Sequence, residues 1–282
     1  MLDHPYGWWS RSENTVLICG GKNWDLDISD NRCWTYSPCD RTWNHVLDLP
    51  FGMHGGVSGY GIIGGREEFW IVGGGNGTAT GLVFVSVVDD VSDTNVNLEI
   101  VSIEQGVWGV EQWSESLRDP RFGHCGASLG DQIVIMGGKH EQHGIVETIE
   151  VINMTSRTLS PRTSVTTPHK RWGALCLPSK DKVMVMGGMD AMFLPHSSVD
   201  VFDPSSETWS RDTSLPWPQS GALGAVTEEG PTLFSGMGAL QFKTEVASYG
   251  HNGQWSVWET QLTSSRISGI AISVPSDIMD YC

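Results

Sequence analysis

The 282-residue chain has no long hydrophobic segment and little positive charge. No run approaches the roughly 18 apolar residues of a membrane-spanning helix, so no membrane span is predicted. Nor do the first residues, Met1 to Pro5, resemble a signal peptide, because no basic segment precedes an apolar one. Lysine and arginine number 17 against 33 aspartate and glutamate, a formal net charge of −16. Since binding phosphates requires clustered basic side chains, we expect no nucleic-acid partner.

Sequence patterns of known catalytic sites are also missing. The chain has no serine nucleophile elbow and no phosphate-cradling glycine loop that leads into a helix. His140 and His143 form a His-x-x-His, but a metal site needs three or four converging ligands, and two loop histidines do not establish one. We therefore predict no catalytic residue, no metal and no cofactor.

What the chain has in abundance is glycine, with 34 residues, and tryptophan, with 13. An apolar run that ends in a glycine pair recurs about every 50 residues, a period that is typical of certain β-propellers. The pairs are Gly20-Gly21, Gly73-Gly74, Gly137-Gly138 and Gly187-Gly188, with Ser235-Gly236 as a degenerate fifth.

Two further features recur in register with the glycine pairs. About fourteen residues before them, by the offset of the repeats themselves, stands an aromatic or polar residue followed by glycine. These openings are Tyr6-Gly7, His54-Gly55, Phe122-Gly123, Trp172-Gly173 and Ser220-Gly221. Downstream of several pairs, an aromatic residue precedes a tryptophan by six or seven positions, as in Tyr36 and Trp43, Phe202 and Trp209, and Tyr249 and Trp255.

Together these motifs resemble the kelch-repeat family over nearly the whole chain. The resemblance implies an all-β propeller of four-stranded blades around a channel, with repeats at 4–50, 51–117, 118–168, 169–217 and 218–263. A partial sixth repeat at 264–282 begins with Arg266-Ile267-Ser268-Gly269 and matches a first strand and the start of a second. We interpret the chain as a truncated six-bladed propeller, and closure as five blades is the alternative.

The six cysteines bear on the cellular compartment. Cys19 and Cys33 are predicted to lie on neighbouring antiparallel strands, within the distance that a disulfide spans. The segment from Cys33 to Tyr36 also resembles a motif of secreted invertebrate kelch-like proteins. Cys125 and Cys176 are interpreted as buried free thiols, and Cys39 and Cys282 have no partner that the sequence assigns. We predict an extracellular location, with a cytoplasmic one as the alternative.

The family resemblance implies recognition of a protein partner across one face of the propeller. Side chains expected on that face belong to the starts of first strands or to long loops, and they are Arg121, Arg171, Arg266, His54, Trp24, His140 and Phe193. Alternatively, the arginines satisfy carbonyl groups between blades. Two other functions stay open: a carbohydrate- or metal-dependent enzyme with its site at the channel, and a substrate-adaptor fragment of a ubiquitin ligase. Carbohydrate therefore remains a possible ligand.

Overall fold

Short antiparallel strands, and no helix, make up the regular structure of the described residues. The computed structural model describes residues 2–3, 5–23, 25–26, 28–75, 94–104, 107–113, 117–140, 143–239 and 241–278. Within those ranges there is no helical segment of the length and apolarity that crossing a bilayer requires. The all-β class predicted from the glycine and tryptophan repeat is confirmed.

Five four-stranded sheets form five blades, each with its strands in chain order. The bounds in blade 1 are Tyr6–Ser10, Thr15–Cys19, Arg32–Ser37 and Thr42–Asp48; in blade 2 they are Val57–Ile63, Arg66–Gly75, Thr94–Glu104 and Val107–Trp113. Blade 3 comprises Cys125–Leu129, Gln132–Met136, Thr148–Asn153 and Thr158–Thr166, and blade 4 comprises Leu175–Ser179, Lys182–Met186, Val199–Asp203 and Thr208–Asp212. Blade 5 comprises Leu223–Thr227, Gly230–Met237, Phe242–Tyr249 and Trp255–Val257.

Additional two-residue strands lie in the connections between second and third strands of blades 1 and 3, and one more precedes blade 1. One small sheet orders Leu2–Asp3, Lys22–Asn23 and Ile28–Ser29, and another pairs Lys139–His140 with Gly144–Ile145.

A series of backbone hydrogen bonds joins successive blades where their first strands begin. The Gly123 amide donates to Gly55 (3.3 Å), Gly173 to Gly123 (2.7 Å), Gly221 to Gly173 (2.9 Å) and Ser268 to Gly221 (2.8 Å). All five residues have positive φ, from 55° at Ser268 to 72° at Gly55, a conformation that favours glycine. The recurring glycine therefore sets the first strands of neighbouring blades side by side.

The glycine pairs make a second set of contacts between blades. A Cβ atom on Gly187 would lie 2.4 Å from the Gln219 carbonyl oxygen of the next blade, so no side chain fits there. The amide of Gly188 donates to that same carbonyl at 2.8 Å. In the degenerate fifth pair, Ser235 adopts φ +59° at the position of the first glycine. The repeat thus tolerates a serine where its hydroxyl can bond the neighbouring backbone.

The aromatic-to-tryptophan spacing marks residues that face each other across the third and fourth strands. Their ring centroids lie 5.0 Å apart for Tyr36 and Trp43, 4.9 Å for Phe202 and Trp209, and 5.2 Å for Tyr249 and Trp255. Each pair also shares a register position in its sheet, which explains the recurrence in the sequence.

The hydrophobic core is divided among the interfaces between adjacent blades. One cluster joins Trp70 and Ile100 of blade 2 to Ile133 and Ile152 of blade 3, and similar clusters join blades 1 and 2, 3 and 4, and 4 and 5. Stability of this fold therefore depends on each blade having a neighbour on both faces.

The partial sixth repeat has no regular strand among the described residues: none follows Val257, and residues 266–274 are irregular, with a bend at Ser268. The predicted start of a second strand lies mostly outside the described residues. The segment of residues 266–274 lies between blade 5, which Ser268 contacts, and blade 1, where Ile272 Cδ1 would be 2.9 Å from a Cβ on Gly7. Ser268 rather than Gly269 holds the repeat glycine position. The segment occupies the place of a sixth first strand.

Two disulfides are present among the described residues. Cys19 and Cys33 share a register position in blade 1, with Cα atoms 4.1 Å apart, so this predicted bridge is confirmed. The interpretation of Cys125 and Cys176 as free thiols is wrong, because they bond to each other across blades 3 and 4 with Cα atoms 5.4 Å apart. Adjacent first strands brought the two together, a contact that requires the blade arrangement. Cys282 lies outside the described residues.

Candidate functional site

Two of the three predicted contact arginines are buried within their own blades. Arg121 is 0% exposed; its Nη2 donates to Glu150 Oε1 at 2.7 Å, and its Nη1 donates to the Gly137 carbonyl at 3.2 Å. Arg171 repeats the arrangement in blade 4, where it donates to the Gly187 carbonyl at 2.9 Å and to the carboxylate of Asp200. Each arginine therefore ties the first strand of a blade to its second and third strands.

This geometry corrects the role predicted for Arg121 and Arg171. Burial lowers the pKa of both guanidinium groups, and the neighbouring carboxylates of Glu150 and Asp200 oppose that shift. Their hydrogen bonds also run inside one blade, whereas the alternative interpretation had them bridge two. Buried and engaged in this way, neither guanidinium is available to a partner.

Arg266 is exposed, unlike Arg121 and Arg171. It holds the corresponding position in the sixth repeat, since its backbone carbonyl accepts from Gly236 as the Arg171 carbonyl accepts from Gly138. Its side chain is exposed, and its guanidinium has no hydrogen bond or ion pair with the described residues.

Three of the other predicted contact residues lie in the connections expected. His54 Nδ1 and Ser29 Oγ are 2.8 Å apart, which links the loop of blade 1 to the start of blade 2. His140 stacks on His143 with ring centroids 4.4 Å apart. Trp24 lies outside the described residues, as does the acidic segment from Asp89 to Asp93.

Phe193 belongs to a group of three consecutive exposed apolar residues. Met192 is 80% exposed, Phe193 36% and Leu194 56%. We call residues 192–194 the apolar tip. Sequence reasoning found Phe193 but not its two neighbours, although an aspartate shortly before a proline is a turn signal that could have marked all three.

The apolar tip is held rigidly by Asp190. The Oδ1 atom of Asp190 accepts from the amides of Met192 (2.8 Å) and Leu194 (3.0 Å), and its carbonyl accepts from Phe193 (3.1 Å). Phe193 has φ +62°, an unusual conformation for a bulky residue that costs about 1 to 3 kcal/mol. The surrounding hydrogen bonds maintain the strained backbone.

An aromatic cluster packs against Phe193 of the apolar tip. The Trp172 ring lies 5.7 Å from Phe193 and 6.0 Å from Phe122, both in edge contacts. The ammonium of Lys139 is 5.4 Å from the Phe193 ring and 5.9 Å from the Trp172 ring, within range of cation–π attraction. These contacts bring the loops of blades 3 and 4 into one surface.

Burial disfavours the charged form of two nearby histidines. Burial lowers the pKa of His124 from 6.5 to about 3, with the Arg121 charge adding to the effect, and burial also lowers the pKa of His196. No group of three or more His, Cys, Asp or Glu side chains in the described ranges is arranged to hold a metal ion.

Comparison with known proteins agrees with this architecture. The family model described as Kelch motif matches residues 173–216, which contain blade 4 and the apolar tip. The five blades thus form a β-propeller whose fourth blade carries a Kelch motif. The chain superposes on the solved structure entitled "Structure of YjhT" with a TM-score of 0.67 and 14% identity, over 92% of this chain and 84% of that one. At this identity the likeness concerns the fold alone.

A curated relative is similar to part of the chain. Over 139 residues the chain is 30% identical to the Rho GTPase-activating protein gacHH of Dictyostelium discoideum. The match covers 46% of this chain but 8% of the relative. The relative is thus far longer than the shared region.

Proposed function

We propose that this kelch propeller is a non-catalytic module that recognises a protein partner through the apolar tip. The observation that carries the proposal is the tip itself, three consecutive exposed apolar side chains on a loop fixed by Asp190. Exposed apolar groups on a rigid loop are typical of interface anchors. Because the loop is already ordered, little conformational entropy is lost on binding.

The neighbouring groups supply the polar margin of such an interface. Lys139, beside Phe193, and the His140 and His143 pair would surround the tip with hydrogen-bonding groups. An apolar centre with a polar rim is the usual anatomy of a protein interface. His54 lies at an equivalent end of blade 2 and would extend the contact.

The test compares Phe193→Ala and Asp190→Ala with Ile62→Ala. Ile62 is 59% exposed but lies in the first hairpin of blade 2, away from the tip, so it controls for loss of an exposed apolar side chain. Affinity capture from the native source, quantified by mass spectrometry, should retain one set of proteins with wild type and Ile62→Ala. We expect that set to fall about tenfold or more with Phe193→Ala.

Two results would contradict the proposal. Equal capture by Phe193→Ala would place recognition elsewhere. Binding on a glycan array that Phe193→Ala abolishes, with no protein captured, would instead indicate carbohydrate recognition through the aromatic cluster.

We also propose an oxidising, extracellular setting for this module. The two disulfides support it, because such bonds persist mainly in oxidising compartments. Peptide mapping without reduction, on protein from its native source, should recover both bridges. Free thiols at all four positions would favour the cytoplasm.

A further inference from the structure

The sixth position of the ring has an open side. In blade 3, Arg121 at the start of the first strand is covered by the second and third strands and bonds Glu150 on the third. At the sixth position, Arg266 and the segment that follows hold the same place. No described residue covers the Arg266 guanidinium.

The backbone of that segment is also open. From Gly269 to Val274, no amide or carbonyl makes a backbone hydrogen bond with the described residues. The side chains of Ile270 and Ile272 both point toward Gly7, at 3.2 and 2.9 Å from where its Cβ would be, as alternate residues of an extended chain do. Backbone groups that have no partner among the described residues can pair with another strand.

An apolar groove runs beside the segment. It is lined by Leu223, Ala225 and Phe234 of blade 5, by Leu262, and by Ala271 and Ile272 of the segment. Between blades 1 and 2, 2 and 3, 3 and 4, and 4 and 5, such side chains are covered by a hydrophobic cluster. The groove thus offers an apolar face to whatever pairs with the segment.

We propose that the sixth position binds a β-hairpin of a partner polypeptide, whose first strand pairs with Ile270–Val274 and whose second strand carries an acidic residue. We infer an acidic residue because Arg266 is positively charged, and because the equivalent Arg121 and Arg171 each bond a carboxylate two strands away in the same blade. Strand addition supplies affinity through main-chain hydrogen bonds, and the carboxylate adds a charge-assisted bond.

The hairpin of blade 3 is a defined probe for this site. A synthetic peptide of residues 132–153 contains the second and third strands together with Glu150, and it has no cysteine. Fluorescence anisotropy with the labelled peptide should show saturable binding to the intact chain. Hydrogen exchange should show new protection confined to the part of the chain around Ile270–Val274.

Three variants separate the proposed contact from general effects. Arg266→Ala in the chain, or Glu150→Gln in the peptide, should weaken binding about tenfold or more, the loss expected for a charge-assisted hydrogen bond. Arg118→Ala removes another exposed arginine and should leave the affinity unchanged. Phe193→Ala should also bind normally, since the site does not use the apolar tip. The outcome therefore distinguishes this inference from the proposed function.

Several results would overturn the inference. These are absence of saturable binding, equal binding by Arg266→Ala, or protection that appears away from Ile270–Val274. A dimer of the unliganded chain with those amides already protected would identify a second copy as the occupant.

Discussion

Blade 3 and the sixth repeat begin with the same arginine but differ in what surrounds it. Arg121 is buried against Glu150, which is itself 0% exposed, whereas Arg266 is exposed beside a segment that pairs with no described strand. The difference shows that the arginine of this repeat is a structural residue only when the second and third strands of its blade are present. Without them, the same side chain becomes an exposed cation with unused hydrogen-bonding capacity.

The largest expected loss of stability comes from removing the buried arginine, Arg121. Arg121→Ala leaves the Glu150 carboxylate buried without its cation, which should lower the free energy of unfolding by about 3 to 5 kcal/mol. Arg266→Ala removes an exposed side chain and should change it by less than about 0.5 kcal/mol. Urea denaturation of both variants measures the contrast. Similar losses for the two would mean that Arg266 has a structural role.

The two disulfides should contribute unequally to the free energy of unfolding. The Cys125–Cys176 bridge spans 51 residues and joins two blades, while Cys19–Cys33 spans 14 residues within one. Chain entropy gives about 4 kcal/mol for the first and about 3 kcal/mol for the second. Paired alanine substitutions, compared by denaturation under oxidising conditions, should follow that order. A reversed order would show that packing around the sulfurs outweighs chain entropy.

A smaller expected effect is a pH dependence of stability that arises from a histidine in blade 3 and has no counterpart in blade 4. His124, which follows Gly123 in blade 3, is buried in its neutral form with its pKa lowered to about 3, and Ala174 follows the equivalent Gly173 in blade 4. As the pH falls below 6.5, the unfolded chain binds a proton that the folded chain does not. Stability should therefore decrease toward pH 3, with this group contributing about 1.4 kcal/mol per pH unit.

His124→Ala gives blade 3 the residue of blade 4 and tests that contribution. Denaturation midpoints between pH 7 and pH 4 should depend less steeply on pH in the variant than in the wild type. Parallel profiles would show that His124 is protonated in the folded state over this range.

Much of the fold could be predicted from the sequence because a propeller repeats the same backbone constraints. Gly137 and Gly187 recur because a side chain would meet the carbonyl of the next blade. Tyr36 and Trp43 recur at a fixed spacing because a tight turn places them opposite each other. Such requirements apply within one repeat or at its contact with the next, so the same residues recur at a fixed period in the sequence.

The candidate site was less predictable. Arg121 and Arg171 were expected on the surface, but their exposure depends on strands some 16 to 29 residues further along the chain. Phe193 was correctly placed in a long loop, yet its strained backbone and its support by Trp172 follow from contacts that no local pattern encodes.

The sequence alone determined the class of fold, the approximate period and the Cys19–Cys33 bridge, since each depends on residues close in the chain or on a repeated contact. Tertiary structure decided which arginine is buried, that Cys125 bonds to Cys176, and that Ser268 rather than Gly269 bonds to Gly221 of blade 5. Those outcomes depend on how separate blades face one another. The physical reason is that burial and pairing are properties of the neighbours that a side chain meets in space, which the spacing of residues along one repeat does not specify.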